Sequence, residues 1–563
     1  MSSVAELQQL LKSGDTYQQA QAAHDLADLA AADRSEIVVT RYDKYWQPSG
    51  EIGSYLQLQA GIFRNMAPSG EIILNGGDGY STDGESAPDP NIPALENCRK
   101  ELVGITIEVG ALRWAGFVDY TDYNFQGGKR TLNAKLVGLF DLLNYIFVWP
   151  DPFWPIQAQP FSHAIYIGPI VSVIETMCSD QLRRIQSGLW GFLNNPAAIL
   201  NPAAREWFRQ LLHDNTNIFE ALKTPIYLVR HKLPEDTSML VARTVRMESL
   251  ATVIADMTKA YGVDVRMDLW LPGDPQPDDS ANLTQPTYVL TVTDRLTTEG
   301  KFGDIRDAIA KTVVDLQGSF FGEILPLVQN APGMDGVFIS EVAGVNFEPP
   351  LAVLVDGPDT AMMEFKIHNH HPRAHTQIIG GRSPKWVNDL INATLAWAID
   401  SLMIAIGITG VPGNLFDGFL NDAFLAFQLV ENYGRRAEMG PYSRHELFTP
   451  TASAPYNIES TFTMVNQFFD TRGWRAATAK FRNNKPFALG EHFVPGGLMS
   501  IASRGEMYTD YVEAIFISDS RKERAEITVQ IGDLKALEAP LNRTQRLVTG
   551  LMESLNVITL TPS

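Results

Sequence analysis

The spacing of apolar positions changes period several times along the chain, and each change marks a candidate boundary. From residue 36 to about 140 the period is two. The runs "EIVVTRYDKYW", "SYLQLQAGIF" and "GEIILN" are short and β-prone. "GITIEV" alternates Ile105, Ile107 and Val109 with polar partners, and "TLNAKL" does the same with Leu132, Ala134 and Leu136. Period-two runs separated by Gly, Pro and Asp clusters predict the antiparallel strands of a barrel or sandwich. Between 162 and 222 the period becomes helical, most clearly in "SVIETMCSDQLRRIQSGLWGFL" and "PAAREWFRQLLHD".

The clearest α/β signal lies at 225–300. In "MESLATVIADMTKAYG" the residues Leu250, Val253, Ile254, Met257 and Tyr261 form one helical face, and Gly262 stands where a C-cap belongs. The strand "VDVRMDLWL" follows, with Val263, Val265, Met267 and Leu269 alternating with Asp264, Arg266 and Asp268. "PTYVLTVT" is its expected partner, across a polar loop. Residues 336–380 return to strands, and 384–432 read as two helices broken at "GVPGN", with Ser383 as N-cap and Pro384 in the first turn. Near the end, "GEMYTDYVEAIFISDS" and "ERAEITVQIGD" flank a polar turn and predict a hairpin with Ile527, Val529 and Ile531 on one face.

Composition narrows the function classes. At 563 residues with 45% hydrophobic and 20% charged content, the chain has enough apolar material for several buried cores. A formal charge of -20 argues against wrapping the outside of nucleic acid, where lysines and arginines must neutralise phosphates. The start of the chain has no basic n-region followed by an apolar run, and the two cysteines, Cys98 and Cys178, are too few for a secreted disulfide framework. Free thiols and assembly in a reducing cytoplasm are expected. The longest apolar region, around 390–420, is interrupted by Asp400, Gly410, Pro412 and Asp417 before reaching spanning length.

Catalytic signatures are sparse. "GGKRT" at 127–131 has Arg130 where a phosphate loop needs Ser or Thr, so it reads as a hairpin turn. There is no Gly-x-Ser-x-Gly elbow, His-Glu-x-x-His helix or paired Cys-x-x-Cys. The acidic loop with Asp78, Asp83, Glu85 and Asp89 lacks the oxygen-ligand spacing of a known calcium loop. An enzyme is therefore not expected.

Four histidines fall in "IHNHHPRAH", residues 367–375. On a strand, His368 and His370 would share one face and His371 the other, so one chain offers two ligands there, fewer than a structural site needs. Only three chains converging on a threefold axis would complete an octahedral set from His368 and His370. Otherwise the stretch reads as a polar strand end. The Trp-, Phe- and Pro-rich stretch "LLNYIFVWPDPFWPIQAQPF" cannot be a regular helix or a central strand.

Several blocks in order carry a resemblance: "RWAGFVDY", "LVGLFDLLNYIFVWPDP", "GGRSPKWVND", "ENYGRRAEMGPYSRHELF" and "KPFALGEHFVPGGLMSIASRGEMYTDYVEAIFISDSR". Together, over about residues 36–535, they resemble the minor tail proteins of long-tailed actinobacterial phages, which form the baseplate hub at the tail tip. The resemblance implies two β-barrel-like hub domains; with the helical and small α/β pieces read above lying between them, the chain is expected to be α+β and multi-domain. The segments expected are a helical extension at 1–35, a first barrel-like domain at 36–160 and a helical segment at 161–223. A small α/β domain follows at 224–345, strands plus paired helices at 346–473, a second barrel-like domain at 474–536, and a C-terminal helix and tail at 537–563.

It further implies a homotrimer that joins a sixfold tail tube to a threefold tip, with a distal tail protein, a tape measure protein and other tip proteins as partners. DNA would pass through its lumen without sequence-specific binding, contact with the host envelope would be transient, and no cofactor is implied. The place expected is the virion tail tip. Trp149, Phe153, Trp154, Trp386 and Trp397 are the candidate inter-chain contacts. The competing readings are a tail-associated cell-wall hydrolase and a receptor- or glycan-binding tail protein.

Overall fold

The computed structural model describes residues 37–77, 87–154, 156–186, 225–261, 263–294, 305–321, 328–331, 338–346, 352–356, 362–380, 427–450, 471–483, 487–520 and 525–532. It divides into two compact units. The first takes Met1–Ile367, Ala476–Asp533 and Arg546–Ser563; the second takes His368–Arg475 and Leu534–Gln545.

The first unit opens with strands β1 (Ile37–Tyr42), β2 (Pro48–Glu51), β3 (Gln57–Phe63) and β4 (Ser69–Asn75). β5 (Gly104–Val109), β6 (Leu112–Gln126) and β7 (Lys129–Gly138) complete this region. The layer that follows holds β8 (Ala164–Pro169), helix α1 (Ile170–Gln186), β9 (Ile226–Leu228) and β10 (Leu240–Val245). It continues with α2 (Leu250–Tyr261), β11 (Val263–Trp270), β12 (Thr287–Asp294) and α3 (Ile305–Phe321). Short strands β13 (Gln329–Asn330), β14 (Phe338–Ile339) and β15 (Ala352–Val355) lead to β16 (Met362–His370), within which the chain leaves the unit. In the second unit lie β17 (Thr376–Gly380), β18 (Phe427–Glu431), α4 (Tyr433–Met439) and β19 (Glu446–Pro450). β20 (Trp474–Arg482) returns the chain to the first unit, which ends with β21 (Leu498–Ser503), β22 (Glu506–Ser520) and β23 (Glu526–Ile531).

The period-two reading holds at the residue level. Ile105, Ile107, Val109, Leu132 and Ala134 are fully buried, as are Ile527, Val529 and Ile531. Gly127 and Gly128 both have positive φ, and Gln126 faces Lys129, so the "GGKRT" stretch is the tight hairpin turn between β6 and β7. Thr106 departs from the pattern: it is buried although polar, and its hydroxyl bonds that of Tyr42. β5 is covered on both faces, which alternation along one strand cannot reveal.

The two β regions do not stand apart as two barrel-like domains. They lie in one thirteen-stranded sheet of order β16-β20-β23-β22-β3-β4-β7-β6-β5-β1-β2, with β21 on β22 and β15 on β21. The join is β22 against β3, in continuous antiparallel register from Ala514↔Phe63 to Ser520↔Gln57. One core runs through both halves, with Leu58, Ile72 and Ile107 from one and Phe481, Ile515 and Val529 from the other. Each strand brings a row of backbone donors and acceptors that must be paired when buried, and each supplies what the other lacks. Among the described residues the order is open, from β16 to β2, and no ring of strands closes.

Beneath this sheet, β11 and β12 pair antiparallel over their full length and β9 adds in parallel to β12. Leu250, Val253, Ile254 and Met257 of α2 are buried in a second core shared with α1. The C-cap position Gly262 lies outside the described residues. Helix begins at Ile170 rather than near 162, because Ala164–Pro169 pairs along its length with β10. In the second unit β17 lies between β18, antiparallel, and β19, parallel. The N-terminal extension, the paired helices at 384–432 and most of the acidic loop fall outside the described residues. Among the described helices none is long and apolar enough to cross a membrane.

Candidate functional site

Two features of the first unit stand out: an aromatic loop that faces solvent, and a buried charged clamp that locks the α/β layer to the sheet. The loop follows β7. Its anchor is a set of backbone bonds, Val148 N to Glu248 O, Met247 N to Val148 O and Leu250 N to Ile146 O, which pin it to the start of α2. Alternation then separates the side chains: Ile146 and Val148 are buried, while Tyr145 and Phe147 are exposed.

Trp149 turns inward. It is 9% exposed, its amide donates to Gln181 Oε1, and the Arg184 guanidinium stacks 4.0 Å from its ring centre. Burial pulls Arg184 down to about 10, and its Nη2 donates to Phe147 O. Trp149 is thus a core residue of its own chain. Phe153 and Trp154 turn outward at 55% and 52% exposure, with Ile156 and Phe161 also exposed.

Outward aromatics in a loop lose entropy on binding unless the loop is already ordered. Here Gln159 fastens it. Its amide nitrogen donates to Asp151 O and Trp154 O, and its oxygen accepts from Asp151 N. Asp151 Oδ1 accepts from Phe153 N, and Arg183 sits 5.3 Å from the Phe153 ring centre. The result is a preordered apolar surface with a cationic rim. Trp386 and Trp397 lie outside the described residues.

The clamp was not legible in the sequence. Arg64 and Asn65 follow β3 directly. Arg64 Nε bonds Asp264 Oδ1 at 2.5 Å, and its Nη1 bonds Glu513 Oε1 at 3.0 Å. Asn65 pairs with the backbone of β11, donating to Val263 O and accepting from Val265 N. Burial alone would depress Arg64, but Asp264 and Glu513 outweigh it and raise the guanidinium further, so it stays charged. A second pin is Arg113 of β6, which bonds both oxygens of Asp274 in the β11–β12 loop and also Glu108. Asp264 reads as an outward polar position on β11, yet it is buried because Arg64 enters from the sheet above.

Another buried carboxylate, Glu175 of α1, accepts from the His231 amide and contacts its Nδ1 at 2.6 Å. That hydrogen bond raises the imidazole above its ordinary value of 6.5. The pair therefore adds stability fully present below about 6.5, which fades as pH rises through the raised value. Between pH 6 and 8 the melting temperature of the protein should fall relative to that of His231→Gln; parallel curves would refute the pairing.

Both cysteines are free. Cys178 is fully buried and burial pushes its thiol up to about 12, whereas Cys98 is half-buried. A thiol reagent should titrate one cysteine quickly and the second only on unfolding; two fast thiols would contradict this placement.

In the second unit His368 is exposed and His370 half-buried, both on β16, and His371 is exposed just beyond. His375 is buried and its Nε2 lies 3.1 Å from His445 Nδ1. Among the described residues no three His, Cys, Asp or Glu side chains gather closely enough to hold a metal ion.

Residues 86–533 match the family model described as Siphovirus ReqiPepy6 Gp37-like protein. No curated protein matches the chain. Among solved structures, a tail protein from Neisseria meningitidis MC58 is 8% identical, over 90% of this chain and 98% of that one, with a TM-score of 0.39. The 43 kDa tail protein of prophage MuSo2 from Shewanella oneidensis is 9% identical, over 89% and 99%, with a TM-score of 0.39. The prophage tail protein gp18 from Listeria monocytogenes EGD-e is 9% identical, over 92% and 100%, with a TM-score of 0.32.

Proposed function

The chain belongs to the Siphovirus ReqiPepy6 Gp37-like protein family, and on that premise we propose that it is a structural component of the virion tail, the hub at the tail tip. The observation that carries the reading is the continuous sheet. Strands more than four hundred residues apart pair in register through β3 and β22, and Arg64, Asn65 and Arg113 lock the α/β layer against them. Such a body suits transmission of force and display of fixed contact surfaces.

In this reading three copies form a ring between the sixfold tail tube and the threefold tip. The distal tail and tape measure proteins are its neighbours, DNA passes through the lumen, and contact with the host envelope is transient. Assembly takes place in the host cytoplasm. The role involves no chemical step. The loop at Phe153 and Trp154 is the inter-chain contact, since aromatic anchors in preordered surfaces dominate interfaces. A metal held by His368 and His370 from three chains requires β16 to approach the axis, which elemental analysis of the trimer would test.

The test of the hub is the solution mass by light scattering, followed by antibody labelling of intact virions. A three-chain particle and label at the tail tip are expected. A monomer that stays monomeric with its tail partners, or clearing of host cell walls in a zymogram, would overturn the reading.

A further inference from the structure

In the first unit β6 runs on after one of its neighbours stops. It spans fifteen residues and β5 only six, so the two pair from Val109↔Leu112 to Gly104↔Phe117 and no further. One more bond, Val118 N to Val103 O at 3.0 Å, ends that side. On the other side the ladder continues, with β7 following β6 from Tyr120↔Lys135 to the hairpin turn at Gln126↔Lys129. The 3-10 turn Glu96–Arg99 lies beside β6, but among the described residues it takes no backbone bond from the strand. Residues 122–126 are all exposed, and their outward N–H and C=O groups form an open edge.

Register sorts the side chains of this outer half by face. A bulge between Val118 and Tyr120 resets the alternation, after which Tyr123 and Phe125 share one face and Tyr120, Asp122 and Asn124 the other. Tyr123 and Phe125 are 51% and 66% exposed. Tyr123 Oη donates to Gly76 O at 3.4 Å, and the Arg130 guanidinium sits 5.2 Å from the Phe125 ring centre, so both rings are held along the hairpin while remaining uncovered. Asp119 and Asp122 are exposed and, among the described residues, form no ion pair.

An open strand edge is a template for a further strand, and native chains blunt such edges with bulges and charge. Here the blunting is selective. The bulge and the two carboxylates, on a chain of formal charge -20, oppose pairing with the same edge of a second copy, which would bring like charges together. They favour a strand that carries cations, and the two uncovered rings favour one with apolar side chains. We propose that the outer edge of β6 from Asp122 to Gln126 takes up, as an added strand, an extended segment of another tail protein. That segment is apolar where it crosses Tyr123 and Phe125 and basic where it crosses Asp122. Main-chain bonds supply the affinity, and the two faces supply the selectivity. This pairing rests on the reading of the chain as a tail component and is independent of the three-chain ring.

The experiment is hydrogen–deuterium exchange of the outward amides of residues 122–126, in the free full-length protein and in purified tails, with photocrosslinking from p-benzoylphenylalanine placed at Phe125. Exchange should be fast in the free protein and slower by roughly tenfold or more in tails, as pairing of an open edge requires. The crosslink should join residue 125 to a Lys- or Arg-bearing segment of a different protein. Asp122→Lys should cut the crosslink yield by roughly fivefold or more with the melting temperature unchanged, because like charges then meet across the pair, and Asp122→Glu should keep it. The pairing is overturned by exchange already slow in the free protein, by exchange equally fast in tails, by a crosslink between two copies of this chain, or by an Asp122→Lys yield like the parent's. Absence of the chain from tails would overturn the tail reading as well, so the two failures are told apart.

Discussion

Arg64→Ala lowers the unfolding free energy of the first unit by about 3–5 kcal/mol, because it strands a buried carboxylate. Asp264 is 2% exposed and its ion pair with Arg64 is the buried one of the links between sheet and α/β layer. The surroundings cannot relax around it: Gly496 lies against Asp264 with φ of 82°, and even a methyl group there would overlap the carboxylate. Removing the charge together with its partner should cost far less. Arg64→Met with Asp264→Leu is expected to recover most of the loss, as apolar replacements of buried pairs commonly do. Urea unfolding followed by circular dichroism measures all three proteins. A loss under about 1 kcal/mol for Arg64→Ala would mean that water reaches Asp264 and that the clamp is no more than a surface pair.

The second large effect concerns assembly. On the proposed hub reading, Phe153→Ser with Trp154→Ser should shift the three-chain particle to monomers at micromolar concentration, since each central aromatic anchor contributes about 2 kcal/mol or more. The melting temperature of the monomer should barely move, because exposed side chains contribute within about 0.5 kcal/mol to folding. Trp149→Ala, four residues earlier, should do the reverse. Its ring is buried under Arg184, so the truncation should destabilise the chain by about 3–5 kcal/mol. Light scattering and thermal melts on the same samples separate the two roles. If the double variant keeps its mass, the loop is not the inter-chain contact.

The contrast between Trp149 and Trp154 shows where sequence reading stops. Both lie in one aromatic, proline-rich stretch that is marked as irregular because proline forbids helix and central strand. Which ring turns inward is decided by Gln181 and Arg184 of α1, about thirty residues away. No local signal reports that. The same holds for "IHNHHPRAH": its histidines separate into exposed His368 and His371 and buried His375 only once β17 and β19 bring His445 alongside.

By itself the amino-acid sequence determined the strands and their faces, the hairpin turn at Gly127–Gly128, the apolar face of α2, the pairing of β11 with β12 and the phage-tail resemblance. These are local properties: alternation fixes which side chains face the core, and a turn or cap depends on a few neighbouring residues. Only the tertiary structure decided that two distant β regions pair through β3 and β22 and that Asp264 is buried. Each depends on a partner more than thirty residues away, and backbone edges and buried charges carry no mark in sequence of the group that will satisfy them.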